Sequence, residues 1–123
     1  MKKILAVEDD PETRKYYTAL LSEEGYEVST AEDATGGVIQ FRSFKPDLVI
    51  LDVEMPGGGG EKVFEIVREI MESGVPVLFV TGLPERVEGL IRVYPGVKLL
   101  AKPAGGDDLL ACVADLLGRP AGP

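Results

Sequence analysis

Four short, largely apolar runs in this chain each end in a side chain that can do chemistry. Ile4–Val7 runs into Glu8 and Asp9, Leu48–Leu51 into Asp52, Val75–Val80 into Thr81, and Lys98–Ala101 into Lys102. An aspartate side chain ordinarily titrates near ~3.9, so a carboxylate nucleophile needs no general base at neutral pH. That matters in a chain with no histidine. Three carboxylates in one crevice would repel, at roughly 4 kcal/mol for a pair ~4 Å apart at an effective dielectric of ~20. Set against one lysine, they leave two negative charges uncompensated. A divalent cation held by oxygens, water and phosphate is the natural remedy, which points to Mg²⁺. An incoming phosphoryl group would then be attracted, with Lys102 and the Thr81 hydroxyl free to hold its oxygens. A lone acid closing a strand is more often a solvated terminus; four loaded strand ends together change that reading.

The elements that must carry these residues follow from the pattern around them. Leu48–Leu51 has no polar alternation, as in a strand buried on both faces of a parallel sheet. Ile4–Val7 reads the same way, and Tyr26–Thr30, shorter and less apolar, as an edge strand. Asp10 and Pro11 are a cap and a first residue for a helix carrying Tyr17, Leu20 and Leu21 on one face and stopping at Gly25. Asp33–Phe44 is expected as a second helix, with Ala34, Val38, Ile39 and Phe41 inward and Gly36-Gly37 weakening it by roughly 1 kcal/mol per glycine. A third helix is expected from Gly60 or Glu61, with Val63, Phe64, Val67, Ile70 and Met71 apolar, ending at Gly74. Pro84–Val93 reads as one short helix with Val87, Leu90 and Ile91 inward, and Gly105-Gly106-Asp107 leads into a last helix that runs through Leu117. Five strands alternating with five helices imply a doubly wound, flavodoxin-like α/β fold with a parallel sheet ordered 2-1-3-4-5. In that order strands 1, 3, 4 and 5 are neighbours, so the acids, the hydroxyl and the lysine converge on one edge.

Composition narrows the function classes. A chain of 123 residues, 45% hydrophobic and 28% charged, is ordinary for one globular domain. Residues 1–118 read as that domain and 119–123 as a disordered tail or linker stump. A net charge of −8 disfavours direct contact with nucleic acid or an anionic membrane surface. The single Cys112 excludes an internal disulfide and sits among Leu109, Val113 and Leu116 as a small hydrophobe would. With no signal-peptide core and no stretch of spanning length, the expected location is the cytoplasm.

On Ile-Leu-Ala-Val-Glu8-Asp9-Asp10, Leu-Val-Ile-Leu-Asp52-Val-Glu-Met-Pro56 with Gly60, Val-Thr81-Gly82 and Lys102-Pro103, the chain resembles the receiver domains of two-component response regulators. The resemblance covers residues 2–118. It implies that Asp52 accepts a phosphoryl group from a histidine kinase or histidine phosphotransfer protein and so switches a surface for a downstream partner, whose identity stays open. It implies Mg²⁺ held by Asp9, Asp52 and the Glu54 backbone carbonyl, with Glu8 acting through water. Thr81 and Lys102 would contact the phosphoryl oxygens, and Lys102-Pro103 would be a cis peptide. Such a protein is a signalling domain whose only turnover is its own phosphorylation and dephosphorylation.

The chain also departs from that pattern. Leu99 stands where the family usually has an aromatic, so switching is expected to reorder Pro84–Val93 and the Leu83 loop rather than flip a ring. Ala104 replaces the usual large apolar residue after Lys-Pro. The last helix carries Asp107, Asp108 and Asp115 without a basic residue before Arg119, which argues against a charge-paired dimer. Gly57–Gly60 reads equally well as a flexible loop or a functional one. Two rivals share the fold: a haloacid-dehalogenase-type phosphatase, whose motifs Asp52, Thr81, Lys102 and Asp107-Asp108 mimic, and an interaction module that is never phosphorylated.

Overall fold

The apolar runs pair as one parallel sheet in the computed structural model, which describes residues 1–118. In chain order the elements are β1 (Lys3–Val7), α1 (Pro11–Glu23), β2 (Glu27–Ala31), α2 (Ala34–Phe44), β3 (Leu48–Leu51) and α3 (Gly59–Glu65). They continue with β4 (Val77–Thr81), α4 (Glu88–Val93), β5 (Val97–Ala101) and α5 (Gly106–Leu117). The strand order is β2-β1-β3-β4-β5, as the alternation implies. Val7 lies level with Leu51, Leu51 with Phe79, and Thr81 with Ala101, which brings the carboxyl ends of four strands to one edge.

The sheet has a hydrophobic layer on each face because strand side chains alternate. Leu5, Val7, Val49, Leu51, Val77 and Phe79 pack with Val63, Phe64, Val67 and Val87 on the α2–α3–α4 side. Ile4, Ala6, Leu48, Ile50, Leu78 and Val80 pack with Tyr17, Leu21, Leu109, Val113 and Leu116 of α1 and α5. Every residue of β3 and β4 is buried, which is why neither strand alternates in sequence. Cys112 is free and packs against the α1–α5 layer.

Local chemistry sets the helix starts. Asp10 accepts from the Thr13 N–H at 3.0 Å with Pro11 opening α1, and Asp33 accepts from the Gly36 N–H at 2.7 Å to open α2. Several boundaries differ from the sequence reading. α3 starts at Gly59, and after Glu65 the chain widens into a π-helical turn over Ile66–Ile70, with the Met71 N–H donating to the Ile66 carbonyl at 2.8 Å. The wider turn breaks the 3.6-residue spacing: Ile70 is 69% exposed while Met71 packs on the core, and left-handed Glu72 rather than Gly74 follows the turn. Ile39, expected inward, is 60% exposed, because Ala34, Gly37, Val38 and Phe41 already fill the inward face of α2.

β4 begins at Val77, since Pro76 has no N–H and offers only its carbonyl, to Val49 at 3.0 Å. Thr81 is the last residue of the strand and is fully buried. Pro84–Val93 is not one helix. A 3₁₀ turn over Pro84–Arg86 is separated from α4 by Val87, which is fully buried. Residues 119–123, expected as a tail, lie outside the described residues.

Candidate functional site

Each chemical side chain stands at the carboxyl end of a strand paired into the sheet. Asp52 follows β3, its N–H donating to the Val7 carbonyl at 3.3 Å, and is 4% exposed. Glu8 follows β1, its N–H held by the Ala31 carbonyl at 2.9 Å, and is 1% exposed. Asp9, the next residue, is exposed. One carboxylate oxygen from each of Glu8, Asp9 and Asp52 lies within 4.8 Å of the others, so the three could hold a metal ion. All three donors are hard oxygens, the set that suits Mg²⁺ or Ca²⁺ rather than a thiophilic metal.

Lys102, at the end of β5, closes the cluster. Its Nζ donates to Glu8 Oε1 at 2.7 Å and to Asp52 Oδ2 at 2.8 Å. Burial pulls the ammonium down, but the bonds to Asp52 and Glu8 outweigh it and hold the lysine well above its ordinary value, so it is charged. Glu8 moves up: burial raises its carboxyl above the usual range, and Lys102 and the Asp10 N–H offset only part of that. A carboxylate this costly to ionise has reason to keep a cation beside it.

Thr81 is level with Ala101, and the Lys102 N–H donates to the Thr81 carbonyl at 2.9 Å. The Thr81 hydroxyl is engaged, accepting from the Leu83 N–H at 3.0 Å. Beyond Asp52 the loop turns back on it, with the Glu54 N–H donating to Asp52 Oδ1 at 3.2 Å. The Glu54 side chain is exposed and reaches toward Gly82, where a Cβ would lie 3.4 Å from its Oε1. The Lys102-Pro103 bond is cis. Leu99 is paired with Phe79 and half-buried in the same layer as Val87. Ala104 lines a cavity of about 410 Å³ between α1 and the β5–α5 loop, with Tyr16, Tyr17, Lys102 and Pro103 around it.

One residue escaped the sequence reading. Arg14, one turn into α1, donates through Nη1 to the Glu8 carbonyl at 2.8 Å and the Asp9 carbonyl at 2.9 Å. It pins the backbone of the acidic pair from behind. The available signal was an arginine placed one helical turn after a run of acids, which reads as an ordinary solvated charge until the turn folds back.

Asp107 and Asp108 sit in the first turn of α5 rather than at the end of a strand, so the second acid pair that a dehalogenase-type phosphatase would need is not in this crevice. The response regulator receiver domain model matches residues 4–114. MtrA of Mycolicibacterium smegmatis, a DNA-binding response regulator, is 31% identical over 119 residues, 96% of this chain and 51% of MtrA. PilH of Pseudomonas aeruginosa is 31% identical over 119 residues, 95% of this chain and 98% of PilH. The chain thus spans about half the length of the MtrA relatives and nearly all of PilH. The response regulator TrrA from Thermotoga maritima, solved in complex with Mg²⁺ and BeF, superposes with a TM-score of 0.81 at 32% identity, over 94% of this chain and 99% of that one. Matched almost end to end, with its acids, hydroxyl and lysine gathered at the edge of a 2-1-3-4-5 sheet, the chain belongs to the response regulator receiver domain family of two-component signalling.

Proposed function

We propose that this domain, taken as residues 1–118, accepts a phosphoryl group on Asp52 from a histidine kinase or histidine phosphotransfer protein. The observation that carries the reading is the Lys102 ammonium bridging Glu8 and Asp52 beside a third carboxylate, Asp9. An Asp52 carboxylate oxygen attacks phosphorus, the P–N bond to the donor imidazole breaks, and the imidazole keeps the electron pair. Lys102 is placed to leave Asp52 Oδ2 for the incoming phosphoryl oxygens, where its charge offsets the charge gained. The Thr81 hydroxyl would exchange the Leu83 N–H for a phosphoryl oxygen. Asp9, Asp52 and the Glu54 carbonyl are the proposed Mg²⁺ ligands, with Glu8 acting through water. When bound, Mg²⁺ supplies the positive charge that lets an anionic donor approach three carboxylates.

The switch follows from what Thr81 holds. Drawing its hydroxyl inward releases the Leu83 N–H and frees the turn over Pro84–Arg86, while half-buried Leu99 has no ring to swing. The output is therefore a reordered α4 and Leu83 loop. The chain's net charge of −8 favours a protein partner over direct contact with nucleic acid. We place its site of action in the cytoplasm; among the described residues no helix is long and apolar enough to cross a membrane.

The test is labelling by acetyl phosphate or a phosphorylated histidine donor, with and without Mg²⁺. One Mg²⁺-dependent equivalent on the wild type and none on Asp52→Asn is expected; stoichiometric labelling of that variant at Ser or Thr would sink the assignment. Asp9→Ala should weaken Mg²⁺ binding in a titration, and unchanged affinity would remove Asp9 from the site. Backbone NMR with beryllofluoride should shift α4 and Leu83 together; a shift confined to Leu99 would refute the proposed switch.

A further inference from the structure

The glycine run after Asp52 does not fold as a loose linker. Gly57, Gly58 and Gly59 take φ of +86°, +108° and +72°, three left-handed residues in succession, and Gly59 and Gly60 are buried. A Cβ at Gly59 would lie 2.0 Å from the Val53 carbonyl oxygen, and one at Gly60 2.3 Å from that of Asp52. The first turn of α3 is thus docked directly on the two carbonyls that follow β3. The Val53 carbonyl also accepts the Met55 N–H at 3.2 Å, so it is held between that donor and the Gly59 Cα. The next carbonyl along the chain is that of Glu54.

We propose that Gly59 is a positioning residue for the cation site: by letting α3 seat against the Val53 carbonyl, it fixes the Val53–Met55 turn and with it the direction of the Glu54 carbonyl. This rests on the Mg²⁺-binding reading above. Any side chain at 59 must push the Val53 peptide away, and the neighbouring Glu54 peptide turns with it. Gly57 supplies the control. It has the same sign of φ, but its Cβ would meet only Ala34, at an ordinary 3.6 Å. Strain from a left-handed alanine is common to both positions, and the collision is confined to 59.

The experiment is a Mg²⁺ titration of ¹⁵N,¹³C-labelled protein followed by NMR, for wild type, Gly57→Ala and Gly59→Ala. Gly57→Ala should bind within about twofold of wild type and Gly59→Ala about tenfold or more weakly, the size seen when a residue orienting a metal ligand is lost. Equal affinities for the two variants would overturn the role of Gly59 while leaving Mg²⁺ binding intact; a wild type that binds no Mg²⁺ would overturn both. Should Gly59→Ala not fold, the wild type decides alone. A docked turn gives order parameters near ~0.85 at Gly58–Gly60 and a Glu54 carbonyl resonance that moves with Mg²⁺. Order parameters below about 0.6, or an unmoved carbonyl, would overturn it.

Discussion

The helices flanking β1 and β2 are built quite unlike the one between β4 and β5. α1 runs for thirteen residues, opens on the Asp10 cap and Pro11, buries Tyr17 and Leu21, and sends Arg14 back to hold Glu8 and Asp9. α2 has its own cap in Asp33. α4 is six residues long, has no side-chain cap, contains no buried residue and carries Gly89 in its interior. Its attachment to the core runs through Val87, just before it, and through half-buried Leu90 and Ile91. The difference teaches a division of labour. The acids need a fixed geometry and sit on the stiff half; the Thr81 loop leads into the half with the fewest contacts to lose. Local stability tracks buried contacts and satisfied ends, so opening of α4 should lie well below global unfolding.

The sharpest challenge to that contrast is a pair of truncations. Leu21→Ala, in a fully buried site, should cost about 2–5 kcal/mol in urea unfolding. Leu90→Ala should cost less than half as much. Comparable losses would mean that α4 is as firmly packed as α1.

Tyr17 tests the stiff half by pH. Burial pushes its phenol up to about 12, Lys102 opposing and the Glu8 and Asp52 charges assisting. The folded phenol thus holds its proton more tightly than the unfolded one, which titrates near ~10. The stabilisation is complete below pH ~10 and is lost as pH rises toward about 12. A shift of that size is worth roughly 3 kcal/mol. Across that window wild type should lose about 2–3 kcal/mol more than Tyr17→Phe in denaturant unfolding. Parallel losses would place the Tyr17 hydroxyl in water and loosen α1.

Smaller effects refine the picture at the helix ends. Asp33→Ala removes the cap of α2 and should cost about 1 kcal/mol by thermal or urea unfolding. The opposite sign is expected at Gly89→Ala. Nothing lies within 4 Å of the added Cβ, so the variant should gain about 0.5–1 kcal/mol of helix stability and slow amide exchange across Glu88–Val93. Faster exchange in that variant would show that α4 depends on glycine at this point.

The pattern of residues was enough for the sheet and for the positions on its edge. Buried parallel strands write themselves as unbroken apolar runs, and Glu8, Asp9, Asp52, Thr81 and Lys102 stand at their ends in a chain whose strand order follows from alternation. Asp10-Pro11 announced the start of α1 because capping is settled within four residues, whereas Asp33, read as the first residue of the second helix, stands just outside α2 as its cap. What escaped was decided by contacts between segments distant in sequence. Ile39 is no less apolar than Val38 and Phe41 but has no room on the inward face of α2. Ile70 turned outward because a π turn over Ile66–Ile70 changed the spacing, and no single residue encodes that widening. Arg14 became a clamp only when α1 folded back over the β1 loop. The four glycines could be read as slack until α3 docked on the Val53 and Asp52 carbonyls, an approach set by how the helix packs on the sheet and permitted by the absence of a side chain.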